Sequence, residues 1–261
     1  MDKISSATKK AWEENWQSHT VEEVLGIFKY PRVIKQLNLY LSFLPKDKII
    51  LEGGCGLGPY LIHLNDSGYN VVGVDYNYEP LKKIEKYNNS LPLTVNDVRC
   101  LSFKSNSFGA YLSLGVIEHF PEGPEEAIKE ANRVLMQAGT FIVHVPIMNI
   151  FLMLKYPLEL LKRNSILRKL FNKRPKTYYW QQYFKANQLK NKVESRGFIV
   201  EKIVPMDHEH SLISFSNMFR DKKSYDAANN LGLRIAGFCE KYLPWLTAAN
   251  MILICRKNTS I

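Results

Sequence analysis

The chain has 261 residues, 46% of them hydrophobic, and carries a formal net charge of +10 at pH 7. This length fits one enlarged domain with enough chain to bury a large core. The four cysteines, at positions 55, 100, 239 and 255, have neither metal-ligand nor disulfide spacing, which excludes a disulfide-stapled fold and indicates a reducing, cytoplasmic environment.

No secretory signal or membrane-spanning segment is expected from the sequence. Residues 1–10 are polar and lack the apolar stretch of a signal peptide. The most apolar run, residues 141–154, is interrupted by polar side chains and falls short of the roughly 20 apolar residues that cross a bilayer.

The first 45 residues are predicted to form a helical arm that precedes the first strand. Trp12 and Trp16 are four residues apart, so they share one face of a helix. Packing of the two indole rings onto the core is the simplest expectation for each of them.

The stretch from Ile49 to Gly58 predicts a ligand pocket. It reads as a buried strand that ends at Glu52 and runs into a glycine-rich turn containing Gly54 and Gly56. Glycine permits positive φ and lets the main chain approach a ligand closely. The carboxyl ends of strands in an open α/β sheet are where ligands bind. The stretch therefore predicts a nucleotide-type cofactor pocket.

Three kinds of glycine-rich loop compete for this stretch. A phosphate-binding P-loop fails, because Gly58 is followed by Pro59 and Tyr60 and not by Lys-Ser or Lys-Thr. The dinucleotide fingerprint fits poorly, because its glycines are spaced G-x-G-x-x-G and these are spaced G-x-G-x-G. Glu52 would also repel a diphosphate, whereas it suits a ligand with a cationic end, such as the ammonium of an amino acid.

A second predicted strand, Asn70 to Asp75, also ends in an acid. Asp75 lies 19 residues after Gly56, close to the spacing at which an acidic side chain accepts both hydroxyls of a ribose. Any adenosine-bearing cofactor would satisfy this position. Tyr76 follows and either lies against an adenine or covers the edge of the sheet.

Two later segments complete a series of four motifs. Residues 93–98 read as a strand ending in Asp97, and residues 108–120 as a strand followed by Glu118 and His119. In order and spacing, this series over residues 49–146 resembles the class I S-adenosylmethionine-dependent methyltransferases. The resemblance implies S-adenosylmethionine as methyl donor and S-adenosylhomocysteine as product.

The resemblance also implies roles for individual residues. Asp97 would bind the adenine amino group, and Val98 would offer its backbone N–H to the ring. The predicted cofactor-binding residues are Glu52, Gly54, Gly56, Asp75, Tyr76, Asp97, Val98 and Leu114. Family members often use an amino-terminal arm to cover the cofactor, so residues 1–45 are given that role.

The family fold is a Rossmann-like seven-stranded α/β sheet, mostly parallel with an antiparallel last strand and helices on both faces. Residues 46–149 would form its cofactor-binding core, and residues 185–261 would supply the sixth and seventh strands. Between the fourth and fifth strands we expect a helix over residues 124–136 and a turn at 137–139. An additional helix is predicted over residues 225–242.

The remaining segment, residues 150–184, is predicted to be a basic, aromatic-rich insertion. Eight basic residues and one acid lie between positions 151 and 176, with apolar residues at helical spacing. Three roles stay open for this segment. It is a solvated cover over the core, a surface that docks on anionic lipid, or a clamp for an acidic or phosphorylated acceptor. Nucleic acid is disfavoured, because no RNA- or DNA-binding module accompanies the cluster. The aromatic residues 177–184 either line an acceptor pocket or pack the insertion onto the sheet.

The fourth motif narrows the acceptor. Leu114 and Gly115 stand where amide-nitrogen methylases carry an acid and a Pro-Pro-aromatic run, so a small-molecule, lipid-like or sugar acceptor is indicated. His119 is the first candidate for a general base and His144 the second, each with a purely structural histidine as the alternative.

Residues 207–210, Asp-His-Glu-His, would place two histidines on one face if extended, but no third ligand follows, so no metal is predicted. Two other functions remain as alternatives to methyl transfer. One is a nicotinamide-dependent oxidoreductase, and the other is a non-catalytic adaptor that binds a cofactor or docks on membrane.

Overall fold

The computed structural model describes residues 6–155, 181–222, 224 and 226–259. These residues build one seven-stranded sheet with the order β3-β2-β1-β4-β5-β7-β6. The strands are β1 (Ile50–Gly53), β2 (Val71–Asp75), β3 (Leu93–Val95), β4 (Phe108–Leu114), β5 (Leu135–Pro146), β6 (Phe198–Met206) and β7 (Asn250–Lys257). Only β7 runs antiparallel to its neighbours, β5 and β6. The predicted fold class is confirmed.

Ten helices are described around this sheet. They are α1 (Ser6–Gln17), α2 (Val21–Leu25), α3 (Pro31–Leu41), α4 (Pro59–Asp66), α5 (Tyr78–Tyr87), α6 (Glu125–Val134), α7 (Ala186–Glu194), α8 (His208–Phe215), α9 (Asn230–Tyr242) and α10 (Pro244–Thr247). Short 3-10 turns lie at Gly26–Lys29, Ile117–His119 and Asn217–Phe219. In the described part of the chain, no helix is both long and apolar enough to cross a membrane.

Two apolar layers hold the helices against the sheet. Successive strand residues point to opposite faces, so Ile50 packs with side chains of α3, α4 and α5, whereas Leu51 packs with those of α6 and α7. Both residues are fully buried. Burial of each such side chain is worth roughly 1.5–3 kcal/mol, so packing on both faces stabilises β1 inside the sheet.

The structure corrects the turn predicted at residues 137–139. Strand β5 already begins at Leu135, and its register with β4 shifts between Phe108 and Ala110. Ala138 takes a positive φ of 55° inside this irregular stretch. The extra residues are accommodated as a bulge of the strand, a feature that the glycine-containing sequence alone does not separate from a turn.

Three other predicted boundaries also move. The third strand ends at Val95 and not at residue 98, and Asp97 forms only an isolated bridge with Cys100. Helix α9 begins at Asn230 and not at residue 225, because the side chain of Asn229 caps it by accepting the N–H of Gly232. The 207–210 segment is not extended, since α8 begins there. Residues 156–180, which hold most of the basic insertion and the first half of the aromatic stretch, lie outside the described residues.

Candidate functional site

A cavity of about 240 Å³ lies at the carboxyl ends of β1, β2 and β4. At β1 the strand order reverses direction, and in open α/β sheets such switch points carry ligand crevices. The predicted residues that line the cavity are Glu52, Gly54, Asp75, Tyr76, Asp97, Val98, Leu114 and His119. Thus residues far apart in the chain meet at one place, as the motif series anticipates.

The glycine loop is shaped by side chains that leave no room for a Cβ. Gly54 has φ +72°, and a Cβ there would lie 2.6 Å from Cγ2 of Val116. Gly56 has φ +53°, and a Cβ there would lie 2.7 Å from Cη2 of Trp16. Gly56 itself does not line the cavity, but its backbone N–H donates to the carboxylate of Asp75 at 2.9 Å.

Glu52 places a buried carboxyl group at the base of this cavity. The residue is 4% exposed, and its Oε2 has no hydrogen-bond partner among the described residues. Burial raises the pKa of Glu52 to about 8, although a hydrogen bond from the backbone N–H of Leu61 opposes this rise. A cationic ligand would satisfy the carboxylate and reverse this shift, because an adjacent opposite charge favours the ionised form.

Asp75 is held in one orientation by the backbone. Its Oδ2 accepts the N–H of Gly56 and its Oδ1 accepts the N–H of Asn77, each at 2.9 Å. Burial raises its pKa, and these two hydrogen bonds oppose the rise. Each carboxylate oxygen has a second lone pair, so the group can still accept hydroxyl donors from a ligand in the cavity.

Asp97 has a partner that the sequence does not reveal. Arg99 donates from Nε to Oδ1 at 3.0 Å and from Nη2 to Oδ2 at 2.7 Å. Burial works against ionisation of Asp97, but the hydrogen bonds from Arg99 keep its pKa below the ordinary value. An adenine amino group would therefore share this carboxylate with a guanidinium. The neighbouring Asn96 also lines the cavity and was not among the predicted residues.

The amino-terminal arm reaches the cavity through its two tryptophans. Trp12 and Trp16 stack with ring centroids 5.2 Å apart, and both line the cavity. The ring of His119 stands edge-on to Trp12 at 4.9 Å. The arm thus covers the glycine loop with aromatic side chains. In the sequence, the four-residue spacing of the two tryptophans indicated that they share one face of the arm.

His144 does not line this cavity. Its Nδ1 lies 2.7 Å from Oη of Tyr40, and its Nε2 lies 3.7 Å from Oδ2 of Asp207. Burial works against ionisation of Asp207, yet contacts from His144, Asn250 and Arg32 lower its pKa to about 2. This arrangement places His144 in a polar network that ties α3 to the ends of β5 and β6.

A second cavity, of about 310 Å³, has Glu118 in its lining. Its lining combines polar groups, such as Asn149 and Ser211, with the apolar rings of Phe151 and Phe215. Glu118 is 3% exposed, and burial raises its pKa to about 8. Its Oε1 lies 3.8 Å from Nε2 of His119, which lines the first cavity. Glu118 therefore stands between the two cavities.

Sequence reasoning did not select Glu118 as a site residue. Its position directly before His119, after a strand whose carboxyl end faces the cavity, was the available signal. The two histidines that the metal hypothesis considered, His208 and His210, lie on α8, and no cluster of three metal-ligating side chains occurs within the described ranges.

Comparison with known proteins gives concordant matches. A family model described as a methyltransferase domain matches residues 51–143. The chain is 37% identical over 109 residues to the Homo sapiens "Probable tRNA methyltransferase 9B", an alignment that covers 40% of this chain and 23% of that protein. The chain therefore spans about a quarter of the length of this curated relative.

Solved structures share the fold at low sequence identity. An S-adenosylmethionine-dependent methyltransferase from Archaeoglobus fulgidus has a TM-score of 0.60 at 16% identity, covering 95% of this chain and 99% of that one. A putative methyltransferase from Haloferax volcanii, solved in complex with the Trm112 methyltransferase activator, has a TM-score of 0.56 at 16% identity, covering 85% and 88%.

Proposed function

We propose that this chain, whose residues 51–143 belong to the class I S-adenosylmethionine-dependent methyltransferases, methylates a small-molecule, lipid-like or sugar acceptor held beside Glu118. S-adenosylmethionine is the cofactor of the family, and S-adenosylhomocysteine is its product. The observation that carries the proposal is a pair of cavities lined by consecutive residues. His119 lines the cavity that contains the expected cofactor residues, and Glu118 lines a second cavity without an assigned ligand.

The cofactor cavity fits this methyl donor better than a dinucleotide. Glu52 presents a buried carboxyl oxygen without a partner, which matches an ammonium and repels a diphosphate. Asp75, fixed by two backbone N–H groups, is oriented to accept ribose hydroxyls. Asp75 would serve either kind of cofactor, so Glu52 is the feature that disfavours the nicotinamide-dependent oxidoreductase.

When bound, the cofactor supplies a strongly electrophilic methyl group, so the protein has mainly to position the acceptor. Trp12 and Trp16 line the cavity, and Trp16 lies against Gly56 of the glycine loop. In this proposal, His119 takes a proton from an acceptor hydroxyl or ammonium. Ionised Glu118, whose Oε1 lies 3.8 Å from Nε2 of His119, would stabilise the resulting imidazolium.

Methylation of RNA is the second candidate for the acceptor. The observation in its favour is the 37% identity over 109 residues to a protein named as a probable tRNA methyltransferase. The net charge of +10 would favour a polyanion. Against it, the second cavity combines apolar rings with a few polar groups, which is typical of small-molecule pockets.

Isothermal titration calorimetry tests the cofactor assignment. The parent should bind S-adenosylmethionine and S-adenosylhomocysteine, and Glu52→Gln should weaken both by roughly 10- to 100-fold, as loss of a charged hydrogen-bond partner does. Glu85→Gln, which alters an exposed acid on α5, is the matched control and should bind as the parent does. Binding of NAD in place of the methyl donor would overturn the assignment.

Transfer of a labelled methyl group separates the acceptor classes. The parent is incubated with total tRNA, with a polar metabolite extract or with a lipid extract, and label is counted in each fraction. Label in either extract, abolished by His119→Ala, is expected. Label confined to tRNA would instead favour the RNA acceptor.

A further inference from the structure

Helix α9 exposes an apolar stripe beside its buried face. Gly232, Ala236 and Cys239 are buried on its inner face. About a quarter of a turn around the helix, the side chains of Leu231, Phe238 and Tyr242 are exposed by 51%, 57% and 57%. A surface helix ordinarily has one apolar face, so this second stripe is not explained by the core.

The short helix α10 begins two residues after α9 and adds two exposed apolar side chains to the stripe. They are Trp245 and Leu246, each 46% exposed. The rings of Phe238 and Tyr242 contact each other with centroids 4.8 Å apart. Single exposed apolar residues are normal, but a group of this size and continuity marks an interaction surface.

Cations border the stripe. Arg234 is four residues before Phe238 and Lys241 three after it, so both lie beside its ring on the helix surface, and both are exposed. The acid in this helix, Glu240, points elsewhere and forms an ion pair with Lys35 of α3. The border of the stripe is therefore positive.

We propose that the stripe formed by Leu231, Phe238, Tyr242, Trp245 and Leu246 docks on an anionic lipid surface. A helix with an apolar face bordered by Lys and Arg lies in the plane of the membrane interface. Trp and Tyr prefer this interface, because their rings are apolar and their N–H and O–H groups meet water or headgroups.

The charges favour lipid over a second copy of the chain. Two copies facing each other through this stripe would bring Arg234 and Lys241 of both into one interface, where like charges repel. An anionic surface attracts the same side chains. This docking surface is separate from the cofactor cavity, so the inference does not depend on the proposed methyl transfer.

Vesicle flotation tests the proposal on the full chain. The parent should float with vesicles of phosphatidylcholine and phosphatidylglycerol and much less with phosphatidylcholine alone. Phe238→Ser with Trp245→Ser should abolish flotation. Arg234→Gln with Lys241→Gln should weaken binding to anionic vesicles roughly thirtyfold, since each cation contributes about 1 kcal/mol near such a surface.

The matched control removes exposed apolar side chains from the other edge of the sheet. Tyr87 and Val95 are 45% and 51% exposed, and Tyr87→Ser with Val95→Ser should float as the parent does. Circular dichroism confirms that every variant is folded. Equal flotation of the Phe238/Trp245 variant, or no flotation of the parent, would overturn the proposal. So would a parent dimer in analytical ultracentrifugation that the same two substitutions dissociate.

Discussion

Replacing Glu52 with glutamine should stabilise the ligand-free protein while it weakens cofactor binding. Burial raises the pKa of Glu52 from 4.5 to about 8. A carboxyl group with a raised pKa in the folded state binds its proton more tightly there than in the unfolded chain. Its favourable contribution to the free energy of unfolding is therefore complete below pH 4.5 and is lost as the pH rises through about 8.

The size of the effect follows from the shift. The difference of 8 − 4.5 = 3.5 units corresponds to a loss of at most about 5 kcal/mol above pH 8, at 1.36 kcal/mol per unit. At pH 7 the same linkage gives about 3 kcal/mol. Glutamine does not titrate, so Glu52→Gln should gain stability over the parent progressively between pH 5 and pH 8.

Urea denaturation at pH 5, 6, 7 and 8, without cofactor, measures this difference. The free energy of unfolding of Glu52→Gln minus that of the parent should be smallest, about 1 kcal/mol, at pH 5 and rise with each step. Glu85→Gln should show no such rise. A pH-independent difference, or a variant less stable than the parent throughout, would refute the reasoning from burial.

Three further predictions concern the loop, the polar network and the histidines. Gly56→Ala should destabilise the protein by about 1–2 kcal/mol in urea denaturation, because alanine resists φ +53° and its Cβ would meet Trp16; unchanged stability would contradict the described loop. His144→Ala should lower the free energy of unfolding by about 1–3 kcal/mol, because Asp207 loses a partner. The urea midpoint of this variant should fall accordingly. His119→Ala should instead keep the midpoint and lower the rate of methyl transfer roughly 10²- to 10⁴-fold, as loss of a general base does. Equal effects of the two histidine substitutions on both measurements would contradict their different placement.

The sheet was predictable because its signals are local and repeat along the chain. Apolar runs that end in an acid or a glycine marked β1 and β2, and the resemblance supplied the antiparallel β7. Boundaries that depend on tertiary contacts were not predictable. The bulge near Ala138 follows from pairing with β4, and the late start of α9 follows from the cap at Asn229.

The same distinction holds for the site. Glu52 and Asp75 were found because strand ends and loop spacing bring them to one sheet corner. The pairing of Asp97 with Arg99 and the place of Glu118 between two cavities depend on side-chain orientation, which sequence spacing does not encode. His144 is the opposite case. Its position late in β5 was predicted from the sequence, but the direction of its ring, toward Tyr40, was not.

The proton released on cofactor binding tests the central claim most directly. At pH 7 a carboxyl group with a pKa of about 8 is about nine-tenths protonated, and an ammonium bound beside it would ionise it. Titration of S-adenosylmethionine in two buffers of different ionisation enthalpy should therefore report release of about 0.9 proton by the parent and none by Glu52→Gln. Tight binding by the parent without proton release would contradict the account.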